Sequence, residues 1–477
     1  MKPFEGEGVF WLPSDDEDQL AGKVVFDPIK GTPLSLFGAF TSLHQQHGQD
    51  SPTLRIHGVA GKCYLTLEKC FLIDTIHEVP GIDRQTINVG AIITNHLFGE
   101  DEPLAFDAMS VTFDQLPQWI GRSGVAVNYT LKQDEQTTDK VDIDFRQLAD
   151  EVVQLDEFEL RLGSSWGLRG DNITNTQLIQ GTYLTLKYPA PQALKVILDD
   201  LKSLQDLLTL AIDAPVVAEE ITLRRNDITH EVGSVAGRPK GLSYYASQLA
   251  ERERLGKPQP LGHILFGYQD IGGLTTIARW LLVARTYDIV LGWLLSIRYA
   301  GGLYVQNRFH NVVSAAESFH RLWRPMGLMP EEEFQAFIDG LVEEVPEEHR
   351  EWLSGQLQYS NEPRLRKRLS QLARYAGPAF TSVVGKRDRW ITLVVAVRNR
   401  LTHHDKDRPI TFEDGDLYFL AESVYMLVML CLFRECGVSD NVISGIGDSM
   451  NIQFLRRKLA RIVPRLLAEI NTPRPVA

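Results

Sequence analysis

The spacing of apolar residues changes near residue 190 of the chain. Before this point, short β-branched or aromatic segments often alternate apolar and polar positions, and clusters of Gly, Pro, Asn and Asp separate them. Alternation is typical of strands with one buried face, and regularly spaced turn residues are typical of a sandwich or barrel. Residues 1–190 are therefore predicted to form an all-β domain, with strands at segments such as GVFWLP (8–13), KVVFDP (23–28), VAVNYTL (125–131) and QLIQGTYLTLKYP (177–189).

After residue 190 the apolar positions follow a helical period. Leu194, Ile197, Leu201 and Leu204 recur at steps of three and four residues, which predicts an amphipathic helix. The polar stretch from 215 to about 259 is interpreted as a connector with a candidate strand at 219–226. Helices are predicted from 272 to the end, at 272–299, 301–324, 331–343, 346–357, 362–375, 387–402, 414–436 and 450–469. The predicted organisation is a β domain (1–190), a helix and connector (191–265) and an all-α domain (266–477).

Composition limits the class of protein. The 477 residues are 44% hydrophobic and 23% charged, with a formal net charge of −13, which is typical of a soluble multidomain protein. Charged residues interrupt the apolar regions and the N-terminus lacks an apolar signal region, so we expect a cytoplasmic protein with no membrane span. The four cysteines have no metal-binding spacing, which predicts free thiols, no metal site and no cofactor.

A candidate site lies where an apolar helix ends, in the segment VVAVRNRLTHHDKD (394–407). Arg398 and His403 are five residues apart, which is about 140° around an ideal helix, so they share a face only if the helix unwinds. Pro409 disfavours helix in the residue before it, which predicts unwinding near Thr402. Arg398 and His403 would then face one pocket.

Arginine and histidine together suit phosphodiester chemistry. A guanidinium fits a phosphate, and an imidazole exchanges protons near neutral pH. A histidine can deprotonate a 2′-hydroxyl that attacks the adjacent phosphorus while an arginine stabilises the transition state, and only RNA carries that hydroxyl. The alternative is structural, because cations near a helix C-terminus stabilise the helix without any catalytic role.

Positive charge is concentrated around this segment. Residues 361–408 contain 12 Lys and Arg against 4 Asp and Glu in an otherwise acidic chain. Such a concentration predicts binding of a polyanion, although solvated helix faces have the same composition. The candidate RNA-binding residues are Arg364, Arg366, Lys367, Arg368, Lys386, Arg387, Arg389 and Arg400.

The segment Arg398-Asn399-Arg-Leu-Thr-His403 resembles the Arg-x(4–6)-His signature of the HEPN superfamily. VSAAESFHRLW (313–323) resembles the earlier Glu-bearing helix of ApeA-type HEPN domains. With GVFWLPSDDEDQLAGKVVFD (8–27) and the order of a β domain before a helical domain, nearly the whole chain resembles ApeA-type anti-phage proteins.

This resemblance implies a metal-independent endoribonuclease that cleaves host RNA during phage infection and halts growth, which is abortive infection. Arg398 and His403 would carry catalysis and Asn399 would orient the phosphate or the histidine, but His404 also fits the motif spacing, so the identity of the base stays open. Glu317 and His320, three residues apart on one helix, are candidates for catalytic support.

The resemblance also implies partners. HEPN nucleases typically work as dimers through the helical domain, and transfer RNA is a common target. The β domain would sense a phage-derived trigger or restrain the nuclease. Two other classes remain open, namely a non-catalytic RNA-binding or adaptor HEPN protein, and a β-sandwich recognition module with an oligomerising helical domain.

Overall fold

The computed structural model describes residues 3–40, 54–132, 138–171, 173–230, 237–246, 264–403, 411–413, 415–447 and 449–471. The chain forms two compact units. The first comprises Met1–Leu261 with Gly267–Ala278, and the second comprises Gly262–Phe266 with Arg279–Ala477. The first is mostly β and the second is helical, which confirms the predicted fold class.

A closed barrel of six strands forms part of the first unit. Its strands are β1 (Phe4–Leu12), β2 (Asp15–Phe26), β3 (Pro33–Phe37), β4 (Leu54–Ala60), β5 (Cys63–Ile76) and β6 (Arg84–Asn88). They pair in the order β4-β1-β2-β3-β6-β5, and β5 pairs with β4 to close the barrel. Alternate residues such as Phe10, Val24 and Leu34 are fully buried, as the period of two requires.

The sheet continues beyond the barrel because β5 also pairs with a further strand. The other strands are β7 (Ala91–Thr94), β8 (Ala105–Phe113), β9 (Val125–Leu131), β10 (Thr138–Phe145), β11 (Glu151–Gln154), β12 (Glu159–Gly170), β13 (Thr176–Ala193), β14 (Ala218–Arg224) and β15 (Leu242–Tyr245). From β5 the order is β7-β15-β14-β8-β13-β12-β11, while β9 and β10 form a separate hairpin.

Two helices belong to the first unit, α1 (Leu116–Ile120) and α2 (Leu194–Ile212). Helix α2 packs on β8 and β13, and the Tyr188 hydroxyl donates to Asp200 across this contact at 2.9 Å. The stretch predicted as a helix and connector thus contributes α2, β14 and β15 to the first unit. Strand β14 lies between β8 and β15, a long-range pairing that short local patterns do not predict.

The second unit contains most of the helices. They are α3 (Leu274–Thr286), which begins in the first unit, α4 (Asp288–Tyr299), α5 (Val305–Trp323), α6 (Glu331–Glu343), α7 (Glu347–Leu357), α8 (Leu365–Ala376), α9 (Pro378–Val384), α10 (Arg387–His403), α11 (Asp416–Glu435), α12 (Asp440–Ile446) and α13 (Met450–Asn471). The predicted helix 272–299 is two helices that bend by 102°, and the short helices α9 and α12 were not predicted.

Helix α11 is the centre of the second unit and packs against α5, α8 and α13. It is long and apolar enough by length and composition to cross a membrane, as is the bent α3–α4 pair taken together. However, 83% of the most apolar stretch of α11 is buried inside the protein. The apolar run from Tyr425 to Phe433 therefore serves as core of this unit.

Candidate active site

Arg398 continues the buried stripe of α10. Ile391, Val394 and Arg398 follow one another at three- and four-residue steps, and the first two are buried. Arg398 itself is half-buried, and the residues described here provide no hydrogen-bond or ion-pair partner for its guanidinium. A cation at the edge of a core without a counter-charge is costly unless another molecule supplies the anion.

Helix α10 stays helical through His403. The Thr402 hydroxyl donates to the Arg398 carbonyl at 2.9 Å, which is a normal contact within a helix. Residues 398–403 are therefore all helical, and the unwinding predicted near Thr402 does not begin before His403. On a continuous helix, positions 398 and 403 point about 140° apart, whereas positions 399 and 403 are one turn apart on one face. Asn399 is exposed on that face.

The side chain of His403 and the whole of His404 lie outside the described residues. The chain is described again from Thr411, whose backbone is held by helix α13. Glu469 accepts the Thr411 amide at 3.1 Å, and Arg465 donates to the Thr411 carbonyl at 3.4 Å. Arg465 also pairs with Glu469 and with Asp416 at the start of α11. On one side of the segment 404–410, His403 is part of α10. On the other side, Thr411 is hydrogen-bonded to α13.

The predicted RNA-binding cations fall into two exposed groups. Arg364, Arg366 and Lys367 surround the start of α8, while Lys386, Arg387 and Arg389 surround the start of α10. The Arg366 guanidinium donates to the Thr392 hydroxyl at 3.2 Å, so the two groups are neighbours. Arg387 and Arg398 are about 16 Å apart along α10, since each residue advances a helix by about 1.5 Å. Arg400 is half-buried near the motif.

Arg368 differs from this prediction because it lies inside the unit. It is only 4% exposed, donates to the Pro363 carbonyl at 2.7 Å and forms an ion pair with Glu362 at 2.6 Å. Burial lowers the pKa of this guanidinium from its ordinary value, which a nearby cation reinforces and Glu362 opposes. An arginine with these partners is part of the core and is removed from the RNA-binding set.

His320 is also a buried residue. It is 1% exposed, and its Nε2 lies 2.6 Å from the Gln371 amide oxygen while its Nδ1 lies 3.4 Å from the Arg368 guanidinium. Burial lowers the pKa of His320, so the ring is neutral near pH 7. Glu317, half-buried on the same helix, acts electrostatically on Arg368. Both candidates for catalytic support therefore belong to a cluster between α5 and α8.

A cavity of about 370 Å³ opens beside this cluster, and the sequence pattern did not predict it. Trp323, Arg324 and Lys367 line it together with His320 and Gln371. The Arg324 guanidinium lies 4.4 Å from the Trp323 ring centroid. The segment HRLWRP (320–325) places an aromatic residue beside basic ones, which could have indicated one wall of this cavity. The other wall comes from α8, which is distant in sequence.

A buried charge cluster was also missed. Arg298 on α4 and Arg308 on α5 both donate to Glu422 on α11, at 2.6 and 3.4 Å. Burial acts to raise the pKa of Glu422, but the Arg298 and Arg308 guanidinium groups together outweigh it and hold that pKa below its ordinary value. Arg298 also lies 4.0 Å from the Tyr425 ring centroid. This cluster connects three core helices.

Other features bear on the chemistry of the site. Within the described ranges, no three His, Cys, Asp or Glu residues are grouped so that they could hold a metal ion. The cysteines Cys63, Cys70, Cys431 and Cys436 are free, and burial raises the pKa of the Cys70, Cys431 and Cys436 thiols.

Comparison with protein families agrees with this architecture and defines the class. Residues 310–442 match the model described as Apea-like HEPN, so α10 and its motif lie in a HEPN domain, and HEPN domains are usually ribonucleases. Residues 5–280 match the model described as ApeA N-terminal domain 1. The chain belongs to the ApeA family, which makes it a HEPN-type anti-phage defence protein. Searches of curated proteins and of solved structures gave no match.

Proposed function

We propose that the protein is a metal-independent endoribonuclease that cleaves host RNA in abortive infection, with Arg398 and His403 as its catalytic residues. The observation that carries the proposal is the half-buried Arg398 guanidinium, which has no partner in the described part of the chain and lies on the helix that ends at His403. An RNA phosphate would supply the missing anion.

The proposed reaction is a transesterification. His403 accepts the proton of a 2′-hydroxyl, and the 2′-oxygen attacks the adjacent phosphorus. The bond from phosphorus to the 5′-oxygen breaks, and that oxygen takes a proton from an acid. The products are a 2′,3′-cyclic phosphate and a 5′-hydroxyl end. Arg398 stabilises the charge on the phosphorane-like transition state, and Asn399, on the face of residue 403, positions the phosphate or the histidine.

A second copy of the chain would complete this site. Because α10 is helical through His403, one chain directs positions 398 and 403 about 140° apart. A two-fold axis beside the end of α10 would bring Arg398 of one subunit near His403 of the other and would supply both a base and an acid. We therefore propose a homodimer formed through the helical domain.

The exposed cations suggest how RNA approaches the site. Arg387 at the start of α10 lies about 16 Å from Arg398 along that helix, a distance of a few nucleotides, and the hydrogen bond from Arg366 to Thr392 places the α8 group beside α10. We propose that they bind the RNA backbone in the cytoplasm, that transfer RNA is a substrate, and that the β unit senses a phage-derived trigger.

The chemistry is tested with purified protein and total RNA, in buffer containing EDTA. We expect cleavage to persist and to leave 2′,3′-cyclic phosphate or 3′-phosphate ends, while DNA and 2′-O-methylated RNA stay intact. Loss of cleavage on chelation with recovery in magnesium, or cleavage of the 2′-O-methylated RNA, would refute the mechanism.

A second candidate is a non-catalytic RNA-binding role. The observation that favours it is that positions 398 and 403 point in different directions on α10. A single subunit therefore does not bring the arginine and the histidine together in one site. This candidate predicts RNA binding that depends on Arg366 and Arg387 without any cleavage, including under conditions that activate the defence response in cells.

A further inference from the structure

The cavity of about 370 Å³ beside α5 and α8 lies entirely within the second unit. Its walls are the end of α5, the loop that follows it and the start of α8. Pro325, Met326 and Pro363 make part of the wall apolar, while Arg324 and Lys367 contribute two cations. The lining residues that the structure describes include no Asp or Glu, so the charge of the wall itself is positive.

An aromatic stack holds the first of these cations. The Trp323 and Tyr375 rings are stacked with their centroids 4.4 Å apart, and the Arg324 guanidinium lies 4.4 Å from the Trp323 centroid. A cation–π contact of this kind uses the face of the guanidinium and leaves its N–H groups available to an anion. No ion pair to Arg324 or Lys367 is formed within the described ranges of the chain.

The carboxylates near the cavity serve two other arginines. Glu362 pairs with Arg321 at 2.7 Å and with Arg368 at 2.6 Å, so one carboxylate already has two cationic partners. Glu317 acts electrostatically on Arg368. These two glutamates therefore do not neutralise the cations that line the cavity.

His320 in the cavity wall responds to the local positive charge. Burial is the largest cause that lowers its pKa, and Arg368, Arg324 and Lys367 each lower it further, although the hydrogen bond with Gln371 opposes them. The same three cations that disfavour a charged imidazole favour an anion in the adjacent space. The cavity is therefore electrostatically suited to a phosphate.

Gln371 adds a neutral hydrogen-bond donor to the wall. Its amide oxygen lies 2.6 Å from His320 Nε2, and its NH₂ group has no partner among the described residues. An amide NH₂ donates to the ring nitrogens and carbonyl oxygens on the edge of a nucleobase. The cavity thus combines donors for a phosphate, a donor for a base edge and an apolar wall.

Lys367 connects the cavity with the cations proposed to bind RNA. It belongs to the exposed group around the start of α8, in which Arg366 donates to Thr392 on α10 at 3.2 Å. Lys367 and Gln371 are one turn apart on α8 and both line the cavity. One face of α8 is therefore directed to α10 and an adjacent face to the cavity, across a helix about 10 Å wide.

We propose that this cavity binds one unpaired nucleotide of the RNA substrate, which gives the protein a preference for RNA loops over duplexes. The phosphate contacts Arg324 and Lys367, Gln371 donates to the base edge, and the base packs on the apolar wall. Ligand sites start at about 300 Å³, so this volume holds one nucleotide and no longer segment. The inference rests on the proposed RNA cleavage and adds the form of RNA that is recognised.

The test compares the binding of two fluorescent RNA probes to the full chain by anisotropy, with His403→Ala as the parent so that neither probe is cleaved. One probe is a hairpin with an oligoadenosine loop, and the other is a blunt duplex of the same length. We expect the hairpin to bind at least about tenfold tighter, since packing and hydrogen bonding of one unpaired base contribute about that factor. Equal affinity for the two probes, or no binding of either, would overturn the proposal.

Variants of the parent assign this preference to the cavity. Arg324→Gln changes an exposed residue and should weaken hairpin binding about tenfold, because it removes a charge-assisted contact, with little effect on the duplex. The matched control is Arg321→Gln, which removes an exposed cation that pairs with Glu362 and does not line the cavity. It should bind both probes as the parent does. Unchanged hairpin affinity in Arg324→Gln, or an equal loss in Arg321→Gln, would contradict the assignment.

Two further measurements separate the possible failures. Adenosine monophosphate should displace the hairpin only far above the Kd of the hairpin, and displacement near that Kd would assign the cavity to a free nucleotide and overturn its assignment to RNA. Cleavage of total RNA by the wild type tests the proposed function by itself. Cleavage with unchanged hairpin affinity in Arg324→Gln would overturn the cavity proposal alone, whereas loss of both cleavage and RNA binding would overturn both.

Discussion

The Nε2 atom of His320 on α5 lies 2.6 Å from the amide oxygen of Gln371 on α8. The ring is 1% exposed and its other nitrogen faces the buried guanidinium of Arg368. A positive charge on this ring would be both desolvated and repelled. The histidine is therefore held neutral by its surroundings, which gives it a measurable role in stability.

We predict that His320 makes the stability of the second unit depend on pH. The unfolded ring titrates near about 6.5, and burial puts the pKa of the folded ring below that value. As pH falls below about 6.5, the unfolded state binds a proton that the folded state does not, so stability is greatest above this pH and decreases with acidification. Thermal unfolding of the wild type between pH 7.5 and 5.5 should show this decrease.

His320→Gln should reduce that dependence, so that the difference in Tm between variant and wild type narrows as pH falls. His349→Gln, an exposed histidine on α7, should keep the wild-type slope. An unchanged slope in His320→Gln would contradict the assignment. If the variant does not fold, NMR titration of the wild-type histidine rings must show one with a pKa below 6.5.

We predict that Glu422 is required for stability of the second unit. Glu422→Gln leaves Arg298 and Arg308 buried without a full counter-charge, and breaking a buried ion pair in this way costs about 3–5 kcal/mol. Hydrogen exchange of the α11 amides measures this free energy. Arg321→Gln removes an exposed pair with Glu362 and should cost about 0–1 kcal/mol. Similar costs for the two variants would show that the cluster does not stabilise the core.

We predict that Arg398→Ala and His403→Ala each abolish RNA cleavage and toxicity, while the far-ultraviolet circular dichroism stays that of the wild type. A substitution near a helix end costs about 1–2 kcal/mol at most, so the fold should persist. His404→Ala should be milder. Arg169→Ala and His349→Ala change exposed residues on other elements, β12 and α7, and serve as controls. An inactive His404→Ala beside an active His403→Ala would reverse the choice of base.

We predict that two subunits share the catalytic site. Mixing the wild type with the Arg398→Ala/His403→Ala double mutant under subunit exchange should reduce activity with the square of the wild-type fraction, because a composite site needs both copies intact. The measurement is the initial cleavage rate at constant total protein. A linear decrease would show that each subunit carries a complete site.

The sequence predicted the fold class because the relevant signals are local. Alternation in the first half and helical periodicity in the second half reflect which face of each element is buried. The end of α10 was predicted within one residue. In contrast, the insertion of β14 between β8 and β15, and the burial of Arg368 in a run of basic residues, depend on partners that are distant along the chain.

By itself the sequence determined that a β half precedes a helical half, and that an arginine and a histidine lie five residues apart where an apolar helix ends. Tertiary structure decided which charges are available. Arg368 and Arg298 are satisfied by Glu362 and Glu422, whereas Arg398 has no such partner among the described residues. The reason is physical, since the free energy of a charge depends on burial and on neighbouring groups, which the order of residues alone does not specify.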